Sequence, residues 1–372
     1  MPNVPQSIHT PLFSKTFAMA ALLISCLLYP QQEAKACTAF LLSTPKKKVM
    51  GKSYDWHTSD GLIMVNKRAV AKRAFAVPTG YRVTYAKWTS LYGSVTFNQY
   101  GREMPLGGLN EKGLAIEVLW LRSTSHGALK KNVPTLNELQ WIQYHLDTSA
   151  SVPEMIKSAK KLQIARIYGS VHYFACDRQG RCATFEYLKG RLVIHKGKTL
   201  PFPALTNHTY HRSIRYLKKH KGFGGKRKIP KNRYSLPRFC RAAAAAKSYN
   251  AKKGPQVPFA LSLLKNVRMG SYSKWHIVYD LEKWIIYFRN AHQKKTIAIH
   301  ALKQDYNCKT AVKVMDLQGS VSKKLHRKWG LYSHKLNHKL IKTSFSRLSS
   351  PFPNRLLRYL AYYPRLGTKC TK

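Results

Sequence analysis

The sequence predicts a layered α+β domain, mainly because of the order of its apolar segments. Strand-like runs come first, helical segments follow, and strands then return before another helix and a strand hairpin. This order favours a layered α+β domain over a doubly wound parallel sheet, in which strands and helices would alternate. The length of 372 residues and the 44% of hydrophobic residues are sufficient for a globular core.

The first segment is typical of an export signal. Lys15 precedes an apolar run over residues 17–29, and Ala34-Lys35-Ala36 follows as a small-residue cleavage site. Together these parts form the pattern of a secretory signal peptide, and the run is too short for a dedicated membrane span. We therefore predict a signal peptide over residues 1–36 and an exported protein, either periplasmic or secreted. A buried N-terminal helix is the alternative.

Strand and helix signals alternate in blocks after this segment. "CTAFLLST" and "KVMGKSYDW" predict a strand hairpin, and a turn over residues 110–113 precedes another strand. "TLNELQWIQYHL" carries a capping box of Thr135 and Glu138, and "SVPEMIKSAKKL" one of Ser151 and Glu154, so two helices are expected. "SLPRFCRAAAAAKSY" predicts a further helix, and "WHIVYDLEKWIIYFRN" predicts a second hairpin.

"FACDRQGRCATF" predicts a hairpin that places two cysteines opposite each other. Its loop is Arg178-Gln179-Gly180, with Gly180 at the left-handed position, so that Cys176 faces Cys182. A cross-strand disulfide and two unbridged, half-buried thiols both fit this arrangement. No CxxC pair or Cys/His spacing supports a zinc site, and we expect neither a metal nor a cofactor.

The charge of the chain is extreme. There are 65 Lys and Arg residues against 15 Asp and Glu residues, which gives a formal net charge of +50. Such a protein is attracted to nucleic acid, anionic lipid or lipopolysaccharide. Because an exported protein does not meet genomic DNA, we expect no nucleic-acid partner and favour an anionic envelope surface.

Two segments carry much of this charge. Residues 218–233 are predicted to form a Gly- and Lys-rich surface loop, and no acidic residue follows Asp316. We therefore divide the mature chain into a domain over residues 37–319 and a basic C-terminal extension over residues 320–372. A solvated extension is favoured over a membrane-surface helix, since its apolar face is only moderate.

Cleavage after Ala36 would give Cys37 both a thiol and a free α-amine. The thiol has a pKa of about 8.5 and the amine one of about 8, so proton exchange between them is nearly thermoneutral. The amine could take the thiol proton and later deliver it to a leaving nitrogen, which is general acid–base catalysis without a histidine. Formation of the thiolate requires positive charge nearby.

From Cys37 to about Gly319, the chain resembles the choloylglycine hydrolase and penicillin V acylase family of N-terminal-nucleophile hydrolases. Six ordered blocks carry the resemblance: Cys37-Thr38, "GKSYDW", "NKR", "NEKGLAIEVLWL", "LTNHTY" and "SLPRFCRA". It implies a four-layer αββα fold and hydrolysis of a linear, non-peptide amide. Because many relatives are tetramers, it also implies a homo-oligomer.

The resemblance implies a role for each residue that matches the family's motifs. Cys37 would be the nucleophile, and Asp55 would bind and orient its α-amine. The family's cation, usually arginine, falls on Lys52, which keeps the charge but loses the bidentate fork. Asn207 would donate its amide to the oxyanion of the tetrahedral intermediate, and Arg238 would hold the charge and geometry of the site together.

Two tryptophans adjoin these motif positions. Trp120 stands where bile-salt hydrolases typically carry asparagine, and its backbone N–H is the group that we expect to serve the oxyanion. Trp56 resembles the companion tryptophan of acylases of the Gram-negative type. The pair would form a flat apolar wall for an aromatic or fatty acyl group, with plain core packing as the alternative. His57 is a further pocket candidate or a surface residue.

The expected function is therefore an exported cysteine amidase acting on a small-molecule N-acyl amide. The tryptophan pair favours penicillin V or a long-chain N-acyl homoserine lactone over a conjugated bile salt. A basic, envelope-anchored binding protein with a lipidated Cys37 and no catalysis is the alternative. Ala34-Lys35-Ala36 fits ordinary signal cleavage better than a lipobox, which needs a larger apolar residue three places before the cysteine.

Overall fold

The computed structural model describes residues 37–76, 82–293, 295–348 and 352–371. The predicted signal peptide, with Cys26, lies outside the described residues. The strands are β1 Thr38–Thr44, β2 Lys47–Asp55, β3 Leu62–Asn66, β4 Val70–Arg73, β5 Lys87–Thr89, β6 Ser94–Asn98, β7 Pro105–Asn110, β8 Ala115–Trp120, β9 Thr135–Leu136, β10 Gln163–Ile164, β11 Val171–Cys176, β12 Cys182–Leu188, β13 Arg191–Lys196, β14 Ala204–Leu205, β15 Ser273–Asp280, β16 Ile285–Asn290, β17 Ile297–His300, β18 Lys313–Asp316, β19 Gly330–Leu331 and β20 Thr368–Cys370. The α-helices are α1 Gln140–Thr148, α2 Val152–Ala159, α3 Tyr210–Leu217, α4 Ser235–Ser248, α5 Gln256–Asn266, α6 His334–Phe345 and α7 Asn354–Gly367.

The first described strand, β1, belongs to a six-stranded sheet. Its strand order is β14-β1-β2-β15-β16-β17, and both predicted hairpins, β1–β2 and β15–β16, belong to it. β1 pairs Thr38 with Ser53, and β15 pairs Ser273 with Asp55. This register brings the beginning of β1, the end of β2 and the beginning of β15 to the same end of the sheet.

A second sheet of nine strands packs against the first. Its order is β13-β12-β11-β8-β7-β6-β3-β18-β19. Phe97 on β6 and Phe288 on β16 have ring centroids 5.8 Å apart, so the two inner faces are in contact. Helices α4 and α5 cover the six-stranded sheet, and α1 covers the nine-stranded sheet. The resulting order of helices, sheet, sheet and helices is the predicted αββα sandwich.

The sequence predicted the start of α2 correctly and the start of α1 wrongly. Ser151 caps α2 as expected, since its hydroxyl accepts from the Glu154 backbone N–H. The capping box of Thr135 and Glu138 is wrong, because α1 begins only at Gln140. Asn137 accepts the first backbone N–H groups there instead. Glu138 is thereby free to bind a different loop.

The hairpin over residues 176–182 has the predicted register. Cys176 pairs with Cys182 across β11 and β12, and a disulfide joins them. Gly180 has a φ of +79°, the left-handed conformation that the loop requires.

The C-terminal segment, residues 320–348 and 352–371, differs from the expected solvated extension. α6 and α7 pack against each other, and Ile341, Phe345 and Leu360 belong to the main hydrophobic core. β20 pairs with β4, and a second disulfide joins Cys308 to Cys370. Both helices are amphipathic: Leu340, Leu357 and Leu360 are buried, while the lysines and arginines face the solvent. No helix in the described ranges combines the length and the apolarity needed to cross a membrane.

The Cys308–Cys370 bridge should contribute strongly to stability because it closes a long loop. The two cysteines are 62 residues apart, and cross-links of this kind typically stabilise a fold by about 2–4 kcal/mol. We expect Cys308→Ser and Cys370→Ser each to lower the free energy of unfolding by that amount in urea titrations without reductant. Since each substitution removes the same bond, the double variant should lose no more than either single one. Additive losses would contradict this account.

Candidate active site

The Cys37 thiol lies at the wall of an apolar cavity, at the beginning of β1. Only 4% of the residue is exposed, and Sγ donates to the backbone carbonyl of Asp55 over 3.9 Å. Burial raises the pKa of this thiol above its ordinary value. Lys52 is the strongest of the opposing influences, Asp55 raises the pKa further, and Arg238 lowers it. The thiol is therefore protonated at neutral pH and needs a base before it can act as a nucleophile.

Asp55, at the end of β2, is fully buried beside this thiol. Its Oδ1 accepts from the hydroxyls of Ser53, at 2.9 Å, and Ser273. Its Oδ2 has no hydrogen-bond partner among the described residues, and the Arg238 guanidinium lies 3.8 Å away. Burial raises the pKa of Asp55, while Arg238 and the two serine hydrogen bonds lower it. One carboxylate oxygen is thus held by hydroxyls and the other is available to a cationic donor.

Arg238, on α4, connects Cys37, the predicted nucleophile, to Asn207, the predicted oxyanion donor. Nη1 donates to the Cys37 carbonyl at 2.9 Å and to the Thr38 hydroxyl, while Nη2 donates to Asn207 Oδ1 at 3.1 Å. Burial lowers the pKa of Arg238 to about 10, and Asp55 and Cys37 oppose that effect. The guanidinium therefore remains charged at neutral pH.

These contacts fix the orientation of the Asn207 amide. Its oxygen faces Arg238, and Nδ2 donates to the Trp120 backbone carbonyl at 2.7 Å. An amide nitrogen carries two N–H donors, and the contact with Trp120 uses one of them. The backbone N–H of Asn207 donates to the Ser235 hydroxyl, so α4 holds both ends of the residue.

Lys52, which the resemblance predicts as the cation of the site, has an acidic neighbour that partly neutralises it. Nζ lies 3.4 Å from Glu117 Oε2 and donates to the Val118 carbonyl. Burial raises the pKa of Glu117, while Lys52 and the Tyr279 hydroxyl lower it. Glu117 therefore belongs to the electrostatics of this site.

Trp56 and Trp120 stand side by side in the lining of the cavity. Their ring centroids are 5.7 Å apart, and the Trp56 indole N–H donates to the Tyr100 hydroxyl at 2.7 Å. The remaining lining is predominantly apolar. His57 is exposed and lies outside that lining, where it contacts the Trp56 and Tyr272 rings.

Several residues of this region were not identified from the sequence. Glu138 accepts from the backbone N–H groups of Ile167, Tyr168 and Gly169 at 2.7–2.8 Å, which shapes the loop that lines the cavity. The His172 ring contacts the Glu186 carboxylate at 3.0 Å and the carbonyl of Thr206, next to Asn207, at 2.7 Å. No sequence motif marks these contacts, because they join residues that are distant in the chain.

Comparison with known proteins shows the family to which this chain belongs. The sequence model of the linear amide C–N hydrolases, choloylglycine hydrolase family, matches residues 37–313. The chain belongs to this family. It is also 31% identical over 183 residues to a penicillin V acylase from Pectobacterium atrosepticum, in a match that covers 45% of this chain and 48%, about half, of that relative.

Solved structures agree with this assignment. Penicillin V acylase from Agrobacterium tumefaciens superposes with a TM-score of 0.69 and 26% identity, covering 80% of this chain and 98% of its own. A mutant of conjugated bile acid hydrolase from Clostridium perfringens gives a TM-score of 0.61 at 18% identity, covering 73% and 94%. The second likeness shows the shared fold alone.

The position of Lys52 leads to a prediction about the thiol. Because Lys52 lowers the pKa of Cys37 more than any other group, Lys52→Met should raise that pKa further. Iodoacetamide alkylation of Cys37, followed by peptide mass spectrometry across a pH series, should then show its midpoint at higher pH than in the wild type. Lys52→Arg keeps the charge and should move the midpoint less.

Lys48→Met provides a matched control on the same strand. Lys48 pairs with Glu282 at the opposite end of β2, so its loss should leave the alkylation profile unchanged. Equal profiles for Lys52→Met and the wild type would show that Lys52 does not control the thiol.

Proposed function

We propose that this protein is an exported amidase that hydrolyses a linear N-acyl amide, with Cys37 as its N-terminal nucleophile. Penicillin V or an N-acyl homoserine lactone is favoured over a conjugated bile salt as the substrate. The observation that carries the proposal is the placement of the Cys37 thiol at an apolar cavity while Arg238 hydrogen-bonds to both Cys37 and Asn207.

Acylation begins with proton transfer within Cys37. Cleavage after Ala36 frees the α-amine, which takes the thiol proton, and Asp55 Oδ2 accepts from the resulting ammonium. The thiolate attacks the carbonyl carbon, a C–S bond forms, and the oxyanion receives the second N–H of Asn207. When the intermediate collapses, the C–N bond breaks and the ammonium protonates the leaving nitrogen.

Deacylation repeats the same steps with water. The α-amine takes a proton from a water molecule, whose oxygen attacks the thioester carbonyl. The C–S bond breaks, the acid is released, and the thiol regains its proton. The backbone N–H of Trp120 remains our predicted second donor to the oxyanion.

The tryptophan pair supports the substrate preference. Trp56 and Trp120 offer flat apolar surfaces next to the nucleophile, where the acyl group must lie. Aryl-substituted or straight-chain acyl groups lie flat against such rings more readily than a rigid steroid does.

A hydrolysis panel tests the proposal. Penicillin V, an N-acyl homoserine lactone and glycocholate are incubated with the wild type, Cys37→Ala and Asn207→Ala. We expect Cys37→Ala to be inactive and Asn207→Ala to lose about 100–1000-fold in kcat, the usual effect of removing an oxyanion donor.

Cys240→Ala is the matched control for the nucleophile. Cys240 is the other free, buried cysteine among the described residues, and burial raises its pKa to about 12. This variant should retain activity. Mass spectrometry must also find Cys37 at the mature terminus with an unmodified amine. An acylated amine, or turnover that survives Cys37→Ala, would refute the mechanism.

We also propose that the exposed loop over residues 218–233 binds an anionic envelope surface. Its lysines face the solvent, and each is worth about 1 kcal/mol near an anionic membrane. The triple variant Lys219→Gln, Lys226→Gln and Lys228→Gln should weaken co-sedimentation with phosphatidylglycerol vesicles at low salt by about 100-fold.

Three exposed lysines elsewhere give the control for this effect. Lys157→Gln, Lys160→Gln and Lys161→Gln, on and after α2, remove the same total charge. Equal losses of vesicle binding in the two triple variants would show that net charge, rather than the loop, attracts the membrane. Truncation of the C-terminal segment would not test the idea, because that segment is part of the fold.

A further inference from the structure

Six aromatic rings form a closed chain of contacts at the cavity beside Cys37, and we call this chain the aromatic collar. Its members are Trp56, Tyr100, Phe345, Phe352, Tyr168 and Trp120. The first half runs from Trp56, whose indole donates to the Tyr100 hydroxyl, to Phe345, whose ring centroid lies 5.2 Å from that of Tyr100. This half connects the nucleophile end of the cavity to α6.

The second half of the collar returns to the nucleophile. The Phe345 and Phe352 centroids are 4.7 Å apart, and Phe352 lies 5.8 Å from Tyr168. Tyr168 lies 6.3 Å from Trp120, which contacts Trp56. Two of the six rings therefore come from the C-terminal segment.

The same segment supplies part of the cavity lining itself. Phe345, Leu348 and Leu360 line the cavity together with Cys37 and the two tryptophans. The match to the family's sequence model ends at residue 313, before α6 and α7 begin. This side of the cavity is thus built by residues beyond the part of the chain that the family model describes.

The segment is held firmly enough to act as a wall. The Tyr363 hydroxyl donates to the Arg73 carbonyl and accepts from Gln140 at 2.6 Å. Asn337 accepts from the Arg102 backbone N–H at 2.9 Å and donates to the Ala361 carbonyl at 3.0 Å. The β20–β4 pairing and the Cys308–Cys370 bridge fix the end of the segment.

We propose that the C-terminal segment sets the length of the acyl group that this site accepts. The inference rests on the proposed amidase function. A straight or aryl-tipped acyl chain lies along the faces of Trp56 and Trp120 and ends against Phe345, Leu348 and Leu360. The substrate class is then a slim N-acyl amide of limited chain length, and the steroid of a bile salt is excluded.

The chemistry of an apolar pocket makes this limit measurable. One methylene more or less in such a pocket changes kcat/KM by roughly 10–200-fold, and well-packed interiors yield little when they are overfilled. A smaller side chain in the wall should therefore admit longer acyl chains. A larger side chain in the wall should shorten the acyl chain that the site prefers.

The experiment compares two leucines of the same segment. Leu360→Ala removes side-chain atoms from the cavity wall. Leu340→Ala, on α6, removes the same atoms from a separate core cluster with Leu62, Met64 and Val314. For each variant and the wild type, kcat/KM is measured on N-acyl homoserine lactones from hexanoyl to tetradecanoyl, and stability is measured by urea unfolding.

We expect Leu360→Ala to raise kcat/KM at least about tenfold on the first chain that is too long for the wild type. Leu340→Ala should lose stability but keep the wild-type profile, and Leu348→Trp should shift the profile to shorter chains. If Leu360→Ala does not fold, Leu348→Val makes the same comparison with a smaller change. If the variants at Leu360 and Leu348 have the same chain-length profile as Leu340→Ala, the inference is wrong.

The amidase proposal and the proposal about the C-terminal segment fail in different ways. If no substrate shows turnover that depends on Cys37, the amidase function itself is wrong. If Cys37-dependent turnover is present and shows no limit on chain length, only the role of the C-terminal segment is wrong.

Discussion

The site depends on one buried guanidinium. Arg238 has no exposed surface and hydrogen-bonds to the Cys37 carbonyl, Asn207 Oδ1 and, through Nε, the Arg233 carbonyl at 3.0 Å. A buried charge is costly unless its donors are satisfied, so these acceptors and the guanidinium hold one another in place. Lysine could not replace it, because a single ammonium cannot span positions that lie on opposite sides of a planar fork.

The charges around the thiol are nearly balanced, and this balance bears on the choice of base. Asp55 lies opposite Arg238, and Glu117 lies opposite Lys52. Because burial outweighs the net effect of these charges, the thiol stays protonated. A preformed thiolate would need an uncompensated cation, whereas a proton-exchanging amine needs only a partner such as Asp55 Oδ2. The arrangement therefore suits an N-terminal amine better than a permanent ion pair with the thiolate.

The sequence was sufficient for the features that depend on neighbours in the chain. The β1–β2 hairpin, the register of Cys176 and Cys182 and the cap at Ser151 follow from local patterns, and the structure contains all three. Ser273 and Asp55 are 218 residues apart, and the Cys308–Cys370 bridge has no spacing pattern. Thr135 and Glu138 have the spacing of a capping box, but Glu138 binds a loop about thirty residues away. Tertiary contacts decided these positions, and a single sequence does not reveal them.

The C-terminal segment shows why charge was a poor guide to structure. Net charge governs solubility and partners rather than fold, and the segment contains no acidic residue. An amphipathic helix needs only one apolar stripe to pack, and Leu357, Leu360 and Ala361 provide it on α7. The basic residues then lie on the outer face, while the apolar stripe reaches the cavity beside Cys37. One segment thus presents charge to the surroundings and lines the cavity beside Cys37, so these two properties can be altered by separate substitutions.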